Sequence, residues 1–258
     1  MRIAYAGDRA IAVDVLKFIL GQGVRPLALL LSSSKRATHA DELLELCPFL
    51  DRDMIFRGTS FRKDQNVEKL SKLELDYIIS IHFPYIYPEA VLDVAKHGVL
   101  NLHPAYLPYN RGWHTPTWAI LEGTPYGGTL HFMEEALDSG DIVHQKKLEA
   151  LPGDTADSLY QRVLELEVEV FTEAWEGLSD FSYSRTSQDE HLATAHTKKD
   201  IEQIRRIEMD QEITPRSLID KLRALTTNRV SEAAWFEEKG RRYMVQVNIT
   251  PDEEPGSD

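Results

Sequence analysis

Four short, nearly unbroken apolar runs within the first 102 residues, at 2–6, 26–31, 77–81 and 99–102, constrain this chain more than any other feature. Each has the length of a β-strand, and a strand with no polar alternation must be covered on both faces. Between the runs lie segments with apolar residues at helical spacing. Residues 10–20 carry Ile11, Val15, Phe18 and Ile19 in this way, and 40–48, 64–73 and 89–95 fill the other gaps. Strands alternating with helices predict a Rossmann-like α/β fold, a mostly parallel sheet with helices on both faces.

Beyond Leu102 the pattern changes. A helix is expected at 115–121, strands at 129–133 and 142–145, and a long amphipathic helix over 154–175 opened by Pro152-Gly153-Asp154-Thr155. Residues 180–197 are polar and follow neither period, which reads as a linker or extended loop. A further helix at 216–225 precedes a hairpin of 233–236 and 243–247 turning at Lys239-Gly240. The chain therefore divides into a main domain at 1–180, a small C-terminal α+β appendage at 181–250 and an acidic, frayed tail at 251–258.

At 258 residues the chain can bury one good core and an appendage, since single cores stop growing at roughly 250 to 300 residues. A net charge of −13 argues against a broad nucleic-acid-binding face. The region from 190 onward hides no basic module either, with eleven Lys and Arg against fourteen Asp and Glu, so nucleic acid is not an expected partner. No apolar run approaches the roughly 20 residues that cross a bilayer, so no membrane partner is expected. The N-terminus passes straight into the first strand without an export signal, which predicts a cytoplasmic protein. Cys47, the only cysteine, sits among Leu43, Leu44, Leu46 and Phe49 and reads as core.

The chemistry-bearing residues collect after the fourth apolar run. Asn101 and His103 in Asn101-Leu102-His103-Pro104 lie two apart, so on a strand they share a face, and Pro104 ends that strand. Leu137-Asp138-Ser139-Gly140-Asp141 adds a carboxylate. An amide, an imidazole and a carboxylate are the polar set for moving an acyl group to an amine: His103 handles protons near neutral pH, Asn101 donates to the oxyanion, and Asp138 orients the imidazole. His131 and His144 sit inside expected strands without ligand spacing, so no metal is expected. Gly7-Asp8-Arg9, at the first strand-to-helix turn, is not Gly-x-Gly-x-x-Gly, which argues against a dinucleotide; it offers backbone N–H groups and a guanidinium to an anion.

These parts, taken with Leu107-Pro108, Arg111-Gly112 and Gly128-Thr129-Leu130-His131, resemble the N10-formyltetrahydrofolate-dependent formyltransferases over about residues 1 to 177. The run from Leu107 to Ile120, with Thr197-Lys198-Lys199-Asp200 further on, resembles the sugar-nucleotide N-formyltransferase branch in particular. The resemblance implies an enzyme with Asn101, His103 and Asp138 as its catalytic set and N10-formyltetrahydrofolate as formyl donor. It places the donor against His82, Phe83 and Tyr85 in the loop 81–88, which reads more aromatic than the family's, and against Leu137, Gly140 and Asp141. The acceptor it implies is the amine of a 3- or 4-amino-deoxysugar on a nucleoside diphosphate, dTDP foremost, made for cell-surface polysaccharide (O-antigen) assembly. Gly7, Arg9, Tyr109, Arg111, Trp113, His114 and Lys198 are its expected contacts. Two alternatives stand beside it: a methionyl-tRNA formyltransferase-like enzyme, which would want a basic C-terminal domain, and a non-catalytic sugar-nucleotide binding protein on the same fold. The apolar hairpin at 233–247 could pair two copies across a two-fold axis as readily as pack within one chain, so a homodimer is a further expectation.

Overall fold

The structure, a computed structural model, describes residues 1–35 and 37–252, so most of the expected tail lies outside the described residues. In chain order β1 (Ile3–Gly7), α1 (Arg9–Gly21), β2 (Ala28–Leu31), α2 (Ala40–Leu46), β3 (Ile55–Arg57), α3 (Asp64–Ser71), β4 (Tyr77–Ile81), α4 (Glu89–Leu92) and β5 (Gly98–His103) come first. The remaining elements are β6 (Arg111–Gly112), α5 (Thr115–Glu122), β7 (Tyr126–Phe132), β8 (Ile142–Leu148), α6 (Ala156–Asp180), β9 (Ala195–His196), α7 (Ile201–Ile204), α8 (Pro215–Ala224), β10 (Ala234–Glu238) and β11 (Arg241–Val245). A seven-stranded sheet runs β3-β2-β1-β4-β5-β7-β8, parallel as far as β5 and antiparallel between β5 and β7. This is the expected Rossmann-like, mostly parallel α/β sheet.

The chain forms two compact units, each assembled from three stretches: 1–103, 128–146 and 166–189 in one, 104–127, 147–165 and 190–258 in the other. In the first unit the alternation of side chains splits each strand between two cores. Ala4, Ala6, Leu30, Ile78 and Val99 pack with Phe61, Leu70 of α3 and Val91 of α4. Ile3, Tyr5, Leu29, Leu31, Tyr77 and Ile79, fully buried, point the other way. The Tyr5 hydroxyl donates to the Ala12 carbonyl on α1 and the Tyr77 hydroxyl to the Leu178 carbonyl on α6, so helices cover that face as well. Cys47 is buried, and burial pushes its thiol up to about 11, which keeps it protonated.

In the second unit Ala119 and Ile120 of α5, Leu159 and Val163 at the start of α6, and Ala224 of α8 share a core. The hairpin β10–β11 turns through Lys239 and Gly240, both at positive φ, as a tight two-residue turn requires. Several elements differ from the sequence reading, β6 and α7 among them, which were not expected. The helix expected at 89–95 stops at Leu92, because the chain bends so that Lys96 and His97 donate to Leu75 and Asp76 carbonyls and lead into β5. The three-residue β3 is too short to show a period. The polar stretch after residue 180 is a paired segment, Thr186 bridging to Ile142 and Ala195–His196 forming β9 on β6.

Candidate active site

Asn101 and His103 lie in the last three residues of β5, with Pro104 next, where the sequence placed them. Register sets their surroundings: on β7, Asn101 lies opposite His131 and His103 opposite Thr129. The Asn101 amide Nδ2 lies 3.2 Å from His131 Nε2, and His131 Nδ1 lies 2.7 Å from the Phe132 carbonyl. The Asp138 carboxylate reaches between the two imidazoles, Oδ2 3.6 Å from His103 Nε2 and Oδ1 3.7 Å from His131 Nε2. Both separations are longer than hydrogen bonds. Side chains 103 and 138 are each 8% exposed, so the contact is poorly screened by solvent.

Asp138 is aimed by its loop. Its φ of 51° is left-handed, a conformation Asp tolerates better than most residues. Gly140 lets the loop lie on β7: a Cβ there would fall 2.1 Å from the Phe132 carbonyl oxygen, and Asp141 in turn accepts from Phe132 N–H. The Gln188 amide then donates to the carbonyls of both Asp138 and Gly140, at 2.9 and 2.7 Å, and the Ser187 hydroxyl donates to the Asp141 carboxylate. Gln188 belongs to the segment that sequence patterns left aperiodic, so nothing in its local pattern marks it. His131 stands in a motif that the sequence singled out, but its place opposite Asn101 was hidden, because a cross-strand register leaves no trace in a single strand.

Strand order reverses at β1, whose neighbours are β2 and β4, and the carboxyl ends of β1 and β4 form the switch point where such folds bind ligands. Gly7 allows α1 to sit tightly on the sheet, since a Cβ would meet that of Ala12 at 2.7 Å. Arg9 and His82 both have positive φ, 70° and 50°. Two non-glycine residues held so at one switch point mark a functional constraint. His82 Nε2 meets both carboxylate oxygens of the fully buried Glu167, at 2.9 and 3.1 Å. Phe83 packs its ring in the core against Phe61, Tyr85 and Tyr87, so it can meet a ligand only through its backbone. The Tyr85 hydroxyl accepts from Ser33 N–H and ties this loop to the one after β2. Leu137 and Ile86 instead stand 55% and 76% exposed on the two loops.

The second unit groups the remaining expected contacts on the β6–β9 pair. Arg111 is buried and held in two hydrogen bonds by the exposed Glu190, which lowers the Glu190 pKa. Trp113 is 44% exposed with the Lys198 ammonium 5.2 Å from its ring centre. His114 caps α5 at a left-handed φ of 57°, and burial lowers its pKa. Tyr109 is half-buried beside them in sequence. Among the described residues no cluster of His, Cys, Asp and Glu could hold a metal.

A doubly wound sheet that ends β5 with an amide and an imidazole, set against a carboxylate from a strained loop, defines an acyl-transfer enzyme. The sequence profile of the formyl transferase family matches residues 29–175, and that of the N-formyltransferase dimerization C-terminal domain matches residues 200–251. A dTDP-4-amino-4,6-dideoxyglucose formyltransferase from Mycobacterium tuberculosis is 31% identical over 177 residues, covering 69% of this chain and 74% of that protein. The structure of a 4-N formyltransferase from Francisella tularensis superposes with a TM-score of 0.82 at 24% identity, over 97% of this chain and 98% of that one. An N-formyltransferase from Helicobacter canadensis, solved with folinic acid and dTDP-3-aminofucose, shares the fold at a TM-score of 0.66 and 16% identity, over 95% and 96% of the two chains. The chain belongs to the formyl transferase family and is an N-formyltransferase.

Proposed function

We propose that this enzyme moves the formyl group of N10-formyltetrahydrofolate to the amine of a dTDP-linked 4-amino-deoxysugar. The observation that carries the reading is the meeting of Asn101, His103 and Asp138 at one sheet end. The 4-amino assignment follows the dTDP-4-amino-4,6-dideoxyglucose formyltransferase likeness, which spans most of both chains. Exposed Leu137 and Ile86 suit a pterin donor, since large apolar side chains left in water on two loops favour a flat ring that covers them. The donor supplies an activated formyl carbon.

The chain's own groups do the rest. As the acceptor amine attacks, a C–N bond forms, the carbonyl π pair moves onto oxygen, and the Asn101 amide donates to that oxygen. His103 takes the proton the amine loses and returns it to the donor nitrogen as the old C–N bond breaks. Asp138 stabilises the imidazolium between these events. The Arg111, Trp113, His114 and Lys198 strip supports recognition of the nucleotide part by a guanidinium, an indole face and an ammonium. Tyr109 belongs to that strip; within the first unit Gly7 and Arg9 at the switch point are assigned to an anionic ligand, and His82 and the 137–141 loop to the donor.

A homodimer joined through β10–β11 fits the dimerization-domain match and the exposed Tyr243 and Met244. No helix among the described residues is long and apolar enough to cross a membrane. The test is a panel of dTDP 3-amino and 4-amino sugars incubated with the formyl donor and scored by mass gain. Formylation of a 4-amino sugar is expected; no gain on any member would contradict the assignment, and gain on 3-amino sugars alone would move the amine.

A further inference from the structure

We propose that His131 is a positioning residue that fixes which way the Asn101 amide faces. This rests on the formyl-transfer reading, in which an Asn101 N–H meets the developing oxyanion. His131 is fully buried on β7, directly opposite Asn101. Its Nδ1 lies 2.7 Å from the Phe132 carbonyl, and a carbonyl can only accept, so Nδ1 carries the proton. In the neutral imidazole Nε2 is then a bare acceptor. Asn101 must therefore turn its NH2 end toward Nε2, at 3.2 Å; the flipped amide would set two acceptors against each other. Of the two N–H bonds on Nδ2, one is used in this way and the other is left for the reacting carbonyl oxygen.

The support continues outward. The Phe132 carbonyl that holds Nδ1–H is the one Gly140 packs against, so the loop carrying Asp138 and the group orienting Asn101 share a single backbone anchor. Replacing Gly140 would disturb both. Ser80, beside Asn101 on β4, is buried and its hydroxyl interacts with the Tyr87 hydroxyl.

The experiment compares His131→Leu, which keeps bulk without an acceptor, with His131→Gln, whose side-chain oxygen can stand where Nε2 stands. Formyl transfer and thermal unfolding are measured for both, for Asn101→Ala, and for each His131 variant combined with Asn101→Ala. His131→Leu is expected to lose kcat by a factor on the order of 10² with KM nearly unchanged, the scale of one lost oxyanion donor. His131→Gln should recover most of that loss. Either change made on top of Asn101→Ala should cost little more, because the group it positions is already gone. Wild-type kcat in His131→Leu, or losses that multiply in the double variants, would overturn the assignment. Should the Leu variant not fold, the Gln variant decides: a loss as large as that of Asn101→Ala, or one that multiplies with it, would also overturn the assignment. Wild-type protein without transfer on any amino sugar would instead sink the functional reading.

Discussion

Asp8, just before α1, gathers more donors than any other carboxylate at the switch point: Arg9 N–H, the Ser32 hydroxyl, and Thr38 through both its N–H and its hydroxyl, each at 2.9 Å. Burial alone would raise its pKa, but these hydrogen bonds outweigh burial and hold the carboxyl below its ordinary value. The folded state thus prefers the ionised form. That preference stabilises the protein above the unfolded aspartate value of about 3.9 and is lost as pH falls below it through the folded value. Asp8→Asn should cost about 1 to 3 kcal/mol at pH 7. Denaturant unfolding from pH 7 to 3 checks this: the gap between wild type and variant stays constant down to about pH 5 and narrows below pH 4, given the unfolded value. A gap that widens on acidification would show that the charge on Asp8 is not what stabilises the turn.

At the scale of elements, the Asp138 loop is the piece on which catalysis turns, and Gly140 is its tightest point. Gly140→Ala brings a Cβ against the Phe132 carbonyl, so the loop has to lift. The expected result is a kcat loss of tenfold or more, roughly the cost of a displaced catalytic group, with the rest of the sheet intact by circular dichroism; unchanged kcat would mean the loop is not held there. Much of this was legible beforehand. Period-two placement put Asn101 and His103 on one face, Pro104 ended the strand, and the apolar runs became β1, β2, β4 and β5. Partners set by register or by distant chain were not legible: His131 faces Asn101 only through the β5–β7 pairing, Glu167 meets His82 from α6, and Gln188 reaches the loop from an aperiodic stretch. The resemblance set Phe83 among the donor contacts, but no local pattern told that its ring packs against Phe61.

For the molecule as a whole, the net charge of −13 suits a small-molecule enzyme better than a partner of nucleic acid. Its two units are each woven from three stretches of chain, which contiguous sequence patterns do not reveal. A dimer in sedimentation at micromolar concentration is expected, and a monomer would count against pairing through β10–β11. The central claim is that three side chains, two from the end of β5 and one from the loop after β7, act together on one formyl group. Its most direct test is His103→Ala in the mass-gain assay, run beside thermal unfolding. Transfer should fall by a factor on the order of 10² or more, the scale of a lost general base, while the unfolding temperature stays near that of wild type. Transfer persisting at the wild-type rate in a folded variant would contradict the account.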